Sequence, residues 1–312
     1  MKFAISSCWN SHRHEDGYAM VRELAELGFG HVELSHGIRL SLVPGILKAL
    51  EDGVARISSV HNFCPLPVGV MGAAPNLYEP SAASRRERIL WLHNTRKTID
   101  FASRVGCDRM VIHSGRVRFL FRDPGEAFES ACDAHPDQPA LLKAGWEKAV
   151  KRINRRKAGY LKRLRESFAL IAEQARQAGV RIGVENREGV TELPLDSEME
   201  SLLESLDEHD VFDYWHDAGH AQLKEGMGLL DHATFLNSLR PRLGGFHLHD
   251  VSAEGRDHQI PGSGRIDWGM IAGNIRKTDT VVMEMSPRLR SEEIREGRAF
   301  LVRTLPDLGE AG

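Results

Sequence analysis

Short β-rich runs recur along the chain, and each is followed by a segment of helical periodicity. The runs are Phe3–Ser6, His31–Leu34, Arg56–His61, Arg109–His113, Arg181–Glu185, Val211–Asp217, Gly245–His249 and Thr280–Glu284. Eight units in 312 residues give about 39 residues each, the length of a strand-loop-helix-loop repeat. Between the first two runs, Met20, Val21, Leu24 and Leu27 share one helical face, and Gly28 follows as a C-terminal stop. Phe168, Leu170, Ile171, Ala175 and Ala178 do the same ahead of Gly179. No G-x-G-x-x-G follows the first run, which argues against a dinucleotide-binding sheet. The pattern predicts an α/β fold: a single (β/α)8 TIM barrel over residues 1–312.

Two connections are long. The one after His61 carries Pro65, Pro67, Gly69, Gly72, Pro75 and Pro80 and reads as an irregular covering loop. Residues 114–159 form a longer excursion after strand four, expected to hold its own helix from near Pro139. Long loops after strands are where barrels keep function.

Composition bounds the setting. The net charge is −3, from 41 Lys+Arg and 44 Asp+Glu, which argues against a surface built wholly for nucleic acid. No window approaches a membrane span, and the N-terminus lacks the apolar region of a secretory signal. Cys8, Cys64, Cys107 and Cys132 are scattered, with no C-x-x-C pair. Reduced thiols and a cytoplasmic location are therefore expected. A homo-oligomer is left open.

Seven of the eight runs end on a side chain able to bind metal or move protons: Glu33, His61, His113, Glu185, Asp217, His247 and Glu284. A barrel builds its active site at those ends. One such residue reads as a structural histidine or carboxylate; seven in register read as one shared site. Asp217-x-x-His220 can turn two ligand-type groups toward one centre. His247 and His249 share a strand face, because side chains alternate with period two. The loop Asp257-His258-Gln259-Ile260-Pro261-Gly262-Ser263-Gly264 is expected to offer backbone amides to an anionic or polyol substrate.

In its ordered set Glu185, Asp217-x-x-His220, His247-x-x-Asp250, His258-x-x-Pro261-Gly262-x-Gly264-x-x-Asp267-Trp268 and Glu284, the chain resembles the xylose isomerase-like TIM barrel superfamily. The nearest group is the sugar phosphate isomerase/epimerase family, and the resemblance runs from Phe3 to Pro287. It implies a metal quartet of Glu185, Asp217, His247 and Glu284 for one divalent ion: manganese, magnesium, zinc or cobalt. Three carboxylates and one imidazole suit a hard or borderline divalent cation. The implied substrate is a small-molecule sugar or sugar derivative. The implied reaction is isomerisation or epimerisation by proton transfer through a metal-stabilised enediolate, with Glu185 and Glu284 as the catalytic pair.

The apurinic endonuclease branch of the same superfamily holds three zinc ions with nine ligands. Eight match here: His61, His113, Glu185, Asp217, His220, His247, His258 and Glu284. The ninth, an Asp two residues before the loop histidine, is Arg256, which cannot ligate zinc. Nucleic acid is therefore not the expected partner. His61, His113, His220 and His258 are left either to substrate hydroxyls or to a second metal, and Arg256 and Trp9 are expected to contact substrate. Phe63 and Trp268 join Trp9 as a candidate apolar wall, and Arg116, Arg118 and Arg122 lie close after strand four. The basic stretch 151–165 reads first as a solvated helix face and second as a phosphate contact. A lyase or dehydratase using the same enolate chemistry is the remaining catalytic alternative. The full quartet argues against a non-catalytic scaffold.

Overall fold

In the computed structural model the eight runs form one closed parallel barrel. Its strands are β1 (Lys2–Ser6), β2 (His31–Leu34), β3 (Arg56–His61), β4 (Arg109–Ile112), β5 (Arg181–Glu185), β6 (Phe212–Asp217), β7 (Leu243–Leu248) and β8 (Thr280–Met283). Residues 1–135, 138–206, 210–305 and 308 are described by the structure. β8 pairs back onto β1, from Lys2 opposite Thr280 to Ile5 opposite Met283, so the sheet has no open edge. His113, His249 and Glu284 stand one residue beyond the ends of their strands.

The helices between strands form the outer ring, and their caps are written locally. Asp16 accepts from the amides of Tyr18 and Ala19 at the start of Gly17–Glu26, and Gly179 closes Lys157–Ala178 in the left-handed conformation. The excursion 114–159 differs from expectation in holding two helices, Pro124–Ala134 and Pro139–Asn154. The earlier one starts at an Asp-Pro signal: the Asp123 carboxylate accepts from the Gly125 amide at 2.7 Å, and Pro124 fills the first turn. The basic stretch is split between two helix ends and mostly faces solvent. Arg152 and Arg156 lie over the Phe119 ring, and Lys157 pairs with Glu198. Among the described residues, no helix is long and apolar enough to cross a membrane.

The barrel interior is layered. Ala4, Val111, Trp215 and Val282 form an apolar cluster separate from the large core between sheet and helices. Trp215 dominates it, and the neighbouring strands make room with glycine. A Cβ on Gly183 would lie 2.8 Å from the Trp215 ring, and one on Gly245 closer still. Two residues further along β5, β6, β7 and β8 come Glu185, Asp217, His247 and Glu284. The period-two alternation thus sets a charged layer directly on an apolar floor. The Trp215 and His247 rings meet edge to face at 5.3 Å.

Gly183→Ala should overpack this floor and destabilise the protein by about 1–3 kcal/mol. Thermal denaturation would show it as a lower Tm, partly recovered by Trp215→Leu in the same chain.

Candidate metal centre

His247 lies at the middle of the charged layer, fully buried. Its Nε2 is 3.1 Å from the Glu33 carboxylate. Glu33 is buried and also accepts from the Ser59 hydroxyl at 2.8 Å. An Nε2–H donated to Glu33 leaves the Nδ1 electron pair pointing the other way. Around Nδ1 stand Glu185 Oε1 at 2.8 Å, Glu284 Oε2 at 3.0 Å and Asp217 Oδ2 at 3.9 Å. One ligand atom from each of the four residues falls within 4.8 Å of the others.

So many electron pairs cannot share a dry space without a cation among them. Burial pushes the carboxyls of Glu185, Asp217 and Glu284 upward, but their cationic neighbours outweigh it and hold all three well below the usual range. Those neighbours are Arg187 for Glu185, His220 for Asp217, which the His249 hydrogen bond also lowers, and His247 for Glu284. Burial opposes charge on His247, yet Glu284 and Glu33 raise its pKa well above that of a free imidazole. A proton on Nδ1 is one way to fill the centre. A divalent cation held by three carboxylates and the freed Nδ1 is the other, and the donor set fits it.

The flanking residues explain the local sequence patterns. Asp217 caps the helix Ala218–Gly226 and accepts from the His220 amide at 2.7 Å. D-x-x-H is therefore the spacing from N-cap to third helical residue. The Asn186 side chain accepts from the Asp217 amide at 2.7 Å and donates to the Asp217 carbonyl at 3.0 Å, fixing this corner. His220 Nδ1 meets the Asn186 carbonyl at 3.0 Å, and its Nε2 meets Glu188 at 3.1 Å. His249 accepts the His258 amide on Nδ1 at 2.8 Å, so its Nε2–H faces the Asp217 carboxylate at 3.1 Å. It orients Asp217. His258 stacks on His249 with ring centroids 4.1 Å apart, and Asp257 bonds its Nδ1 at 3.1 Å. Burial alone would lower the pKa of His258, but Asp257 and Glu284 raise it to about 9.

His61 and His113 converge on the other side of Glu185. His113 Nε2 is 2.8 Å and His61 Nε2 3.7 Å from Glu185 Oε2. Burial, then the charge of Arg187, pushes the His113 pKa down to about 3. The structure thus gathers Glu185, Asp217, His247, Glu284, His61, His113, His220 and His258. It does not bring Arg256 or Trp9 to them. The Arg256 side chain is 74% exposed and faces Glu254. Trp9 is buried, its indole N–H donated to the Leu289 carbonyl at 2.8 Å. The loop amides also differ from expectation. Within the loop, the amides of His258, Gln259, Gly262 and Ser263 donate to His249 Nδ1, the Asp250 carbonyl, the Asp250 carboxylate and the Ile260 carbonyl, and the Ile266 amide just beyond also turns onto Asp250 at 3.1 Å.

Residues 21–304 match the family described as xylose isomerase-like TIM barrel. The chain belongs to that family. No curated protein sequence matches it. Among solved structures it is similar to a D-tagatose 3-epimerase-like protein, with 17% identity, a TM-score of 0.70 and 99% of each chain covered. It is also similar to a D-psicose 3-epimerase crystallised with D-fructose, with 16% identity, a TM-score of 0.67 and 100% of each chain covered. A probable 3-DHS dehydratase from Bacillus anthracis follows at 13% identity and TM-score 0.63, covering 97% of this chain and 99% of that one. At these identities the likeness establishes the fold.

Glu33→Ala should free the His247 ring to change tautomer and lower divalent-metal affinity about 10–100-fold, the usual cost of losing a ligand's orienting partner. Calorimetric titration with manganese would measure it; an unchanged affinity would show that Glu33 does not set the ring.

Proposed function

We propose that the protein is a divalent-metal-dependent isomerase or epimerase acting on a small sugar or sugar derivative. The observation that carries this reading is the set of three carboxylates around His247 Nδ1, with Glu185 at 2.8 Å and Glu284 at 3.0 Å. Glu185, Asp217, His247 and Glu284 would hold the ion. When bound, a divalent ion supplies Lewis acidity to a substrate carbonyl and makes the adjacent C–H more acidic.

The rest is the work of the side chains. Glu185 and Glu284 come from β5 and the end of β8, and each reaches the His247 nitrogen, at 2.8 and 3.0 Å. Both are held ionised by their neighbours, the state a proton acceptor must start from. One carboxylate removes the proton next to the carbonyl and the other returns it, on the same face or the opposite one. His61, His113 and His258 border the centre and can bind hydroxyls. The apolar floor under the charged layer keeps water from below and strengthens each electrostatic contact. The four cysteines are unpaired, which supports the cytoplasmic setting inferred for the enzyme.

Chelation should abolish activity on a ketose panel, and manganese, cobalt or zinc should restore it. Glu284→Gln should lower turnover roughly 10²–10⁴-fold, the scale of a lost acid/base group. Wild type should carry solvent deuterium into the carbon beside the carbonyl, and the metal-loaded variant should not. Unchanged turnover and exchange in that variant would remove Glu284 as proton carrier. Water lost from the substrate would assign the dehydratase branch instead, and chelator-sensitive incision of an abasic-site duplex would overturn the reading.

A further inference from the structure

We propose that Arg187 is a resident cation that keeps the centre mononuclear, by occupying the Glu185 oxygen that His61 and His113 would otherwise share with a second divalent ion. The inference rests on the metal-centre reading above and concerns how many ions that centre holds.

The three residues have the makings of a second site. Their ligand atoms lie within 4.8 Å of one another, and all three are buried. His61 Nδ1 faces the Asn62 carbonyl at 3.1 Å, and a carbonyl only accepts, so Nδ1 carries the hydrogen. His113 Nδ1 lies 2.9 Å from the Asn76 side-chain amide. Both Nε2 atoms turn toward one atom, Glu185 Oε2, at 3.7 Å from His61 and 2.8 Å from His113.

That atom already has a positive partner. Arg187 Nη1 lies 3.1 Å from Glu185 Oε2. The other Glu185 oxygen faces His247 Nδ1 and belongs to the quartet. The carboxylate is thus divided between one metal position and one guanidinium. Arg187 is also held in place: its Nε bonds Glu192 at 3.2 Å and its Nη2 pairs with Glu188 at 3.1 Å, with the side chain 12% exposed. A guanidinium does not lose its proton and cannot become a ligand. A dication between His61, His113 and Glu185 would meet an immovable like charge in a water-poor space. His61 and His113 then stay bound to the protein, turned toward Glu185, rather than to a second ion.

The test counts ions in full-length protein stripped with chelator and titrated with manganese alone, by calorimetry and elemental analysis, with electron paramagnetic resonance on the loaded sample. Wild type should take one ion, with an uncoupled manganese signal and any second binding at least about 100-fold weaker. His61→Ala should also take one, with affinity changed less than about threefold. Arg187→Met should take two, with a spin-coupled signal, and adding His61→Ala to it should return the count to one. Two tight ions in wild type, one of them lost in His61→Ala, would overturn the inference while leaving the metal reading intact. A folded Arg187→Met that still takes one ion would overturn it as well. If Arg187→Met does not fold, the counts in wild type and His61→Ala decide alone. No ion in wild type would overturn the metal reading, and this inference with it.

Discussion

Three buried carboxylates and a buried imidazole meet at one point, and the rest of the molecule is arranged to make that tolerable. Like charges so close repel strongly at low dielectric. Each acid therefore has a positive or hydrogen-bonding partner: Arg187 for Glu185, His249 and the His220 amide for Asp217, His247 for Glu284. The partners need partners in turn. Arg187 is held by Glu188 and Glu192, His258 by Asp257, His247 by Glu33. The network grows outward until it reaches solvent at Glu188, whose side chain is 39% exposed.

The closed barrel is what makes such a network affordable. Each inward side chain is fixed by a strand that is paired on both sides, so ligand positions cannot relax apart. Trp215 and the two glycines beside it raise an apolar floor, and the polar residues occupy the next layer up. A smaller side chain at 215 would open the barrel to water from below. A larger one at 183 or 245 would push on the strands that carry Glu185 and His247.

Much of this was legible in the sequence, because strands and their ends announce themselves. Alternation with period two placed His247 and His249 on one strand face, and the expected strands match the observed ones to within two residues. What was not legible depends on partners distant in the chain. Asp250 lies 12 residues before Gly262 and 16 before Ile266, so nothing local shows that it accepts their amides. Arg187 sits two residues past Glu185 and is ordinary in isolation; its role appears only when His61 and His113 arrive from β3 and the end of β4. Asp257 was overshadowed by Arg256, one place earlier, which faces outward. The helix Pro124–Ala134 had a local signal in Asp123-Pro124, obscured by the length of the excursion around it.

Asp250 gathers four N–H groups on one carboxylate: the amides of Val251, Gly262 and Ile266 and the indole of Trp268. This makes the segment after β7 a loop with a rigid base and a loose tip. Residues 253–256 lie outside the knot and face solvent, whereas Gly262 to Trp268 are tied to it. The chain between these parts carries His258. Changes of length or charge at the tip should therefore leave the histidine in place, its Nε2 3.9 Å from Glu284. A loop built this way lets a lineage alter what approaches the mouth of the barrel without disturbing the chemistry beneath it.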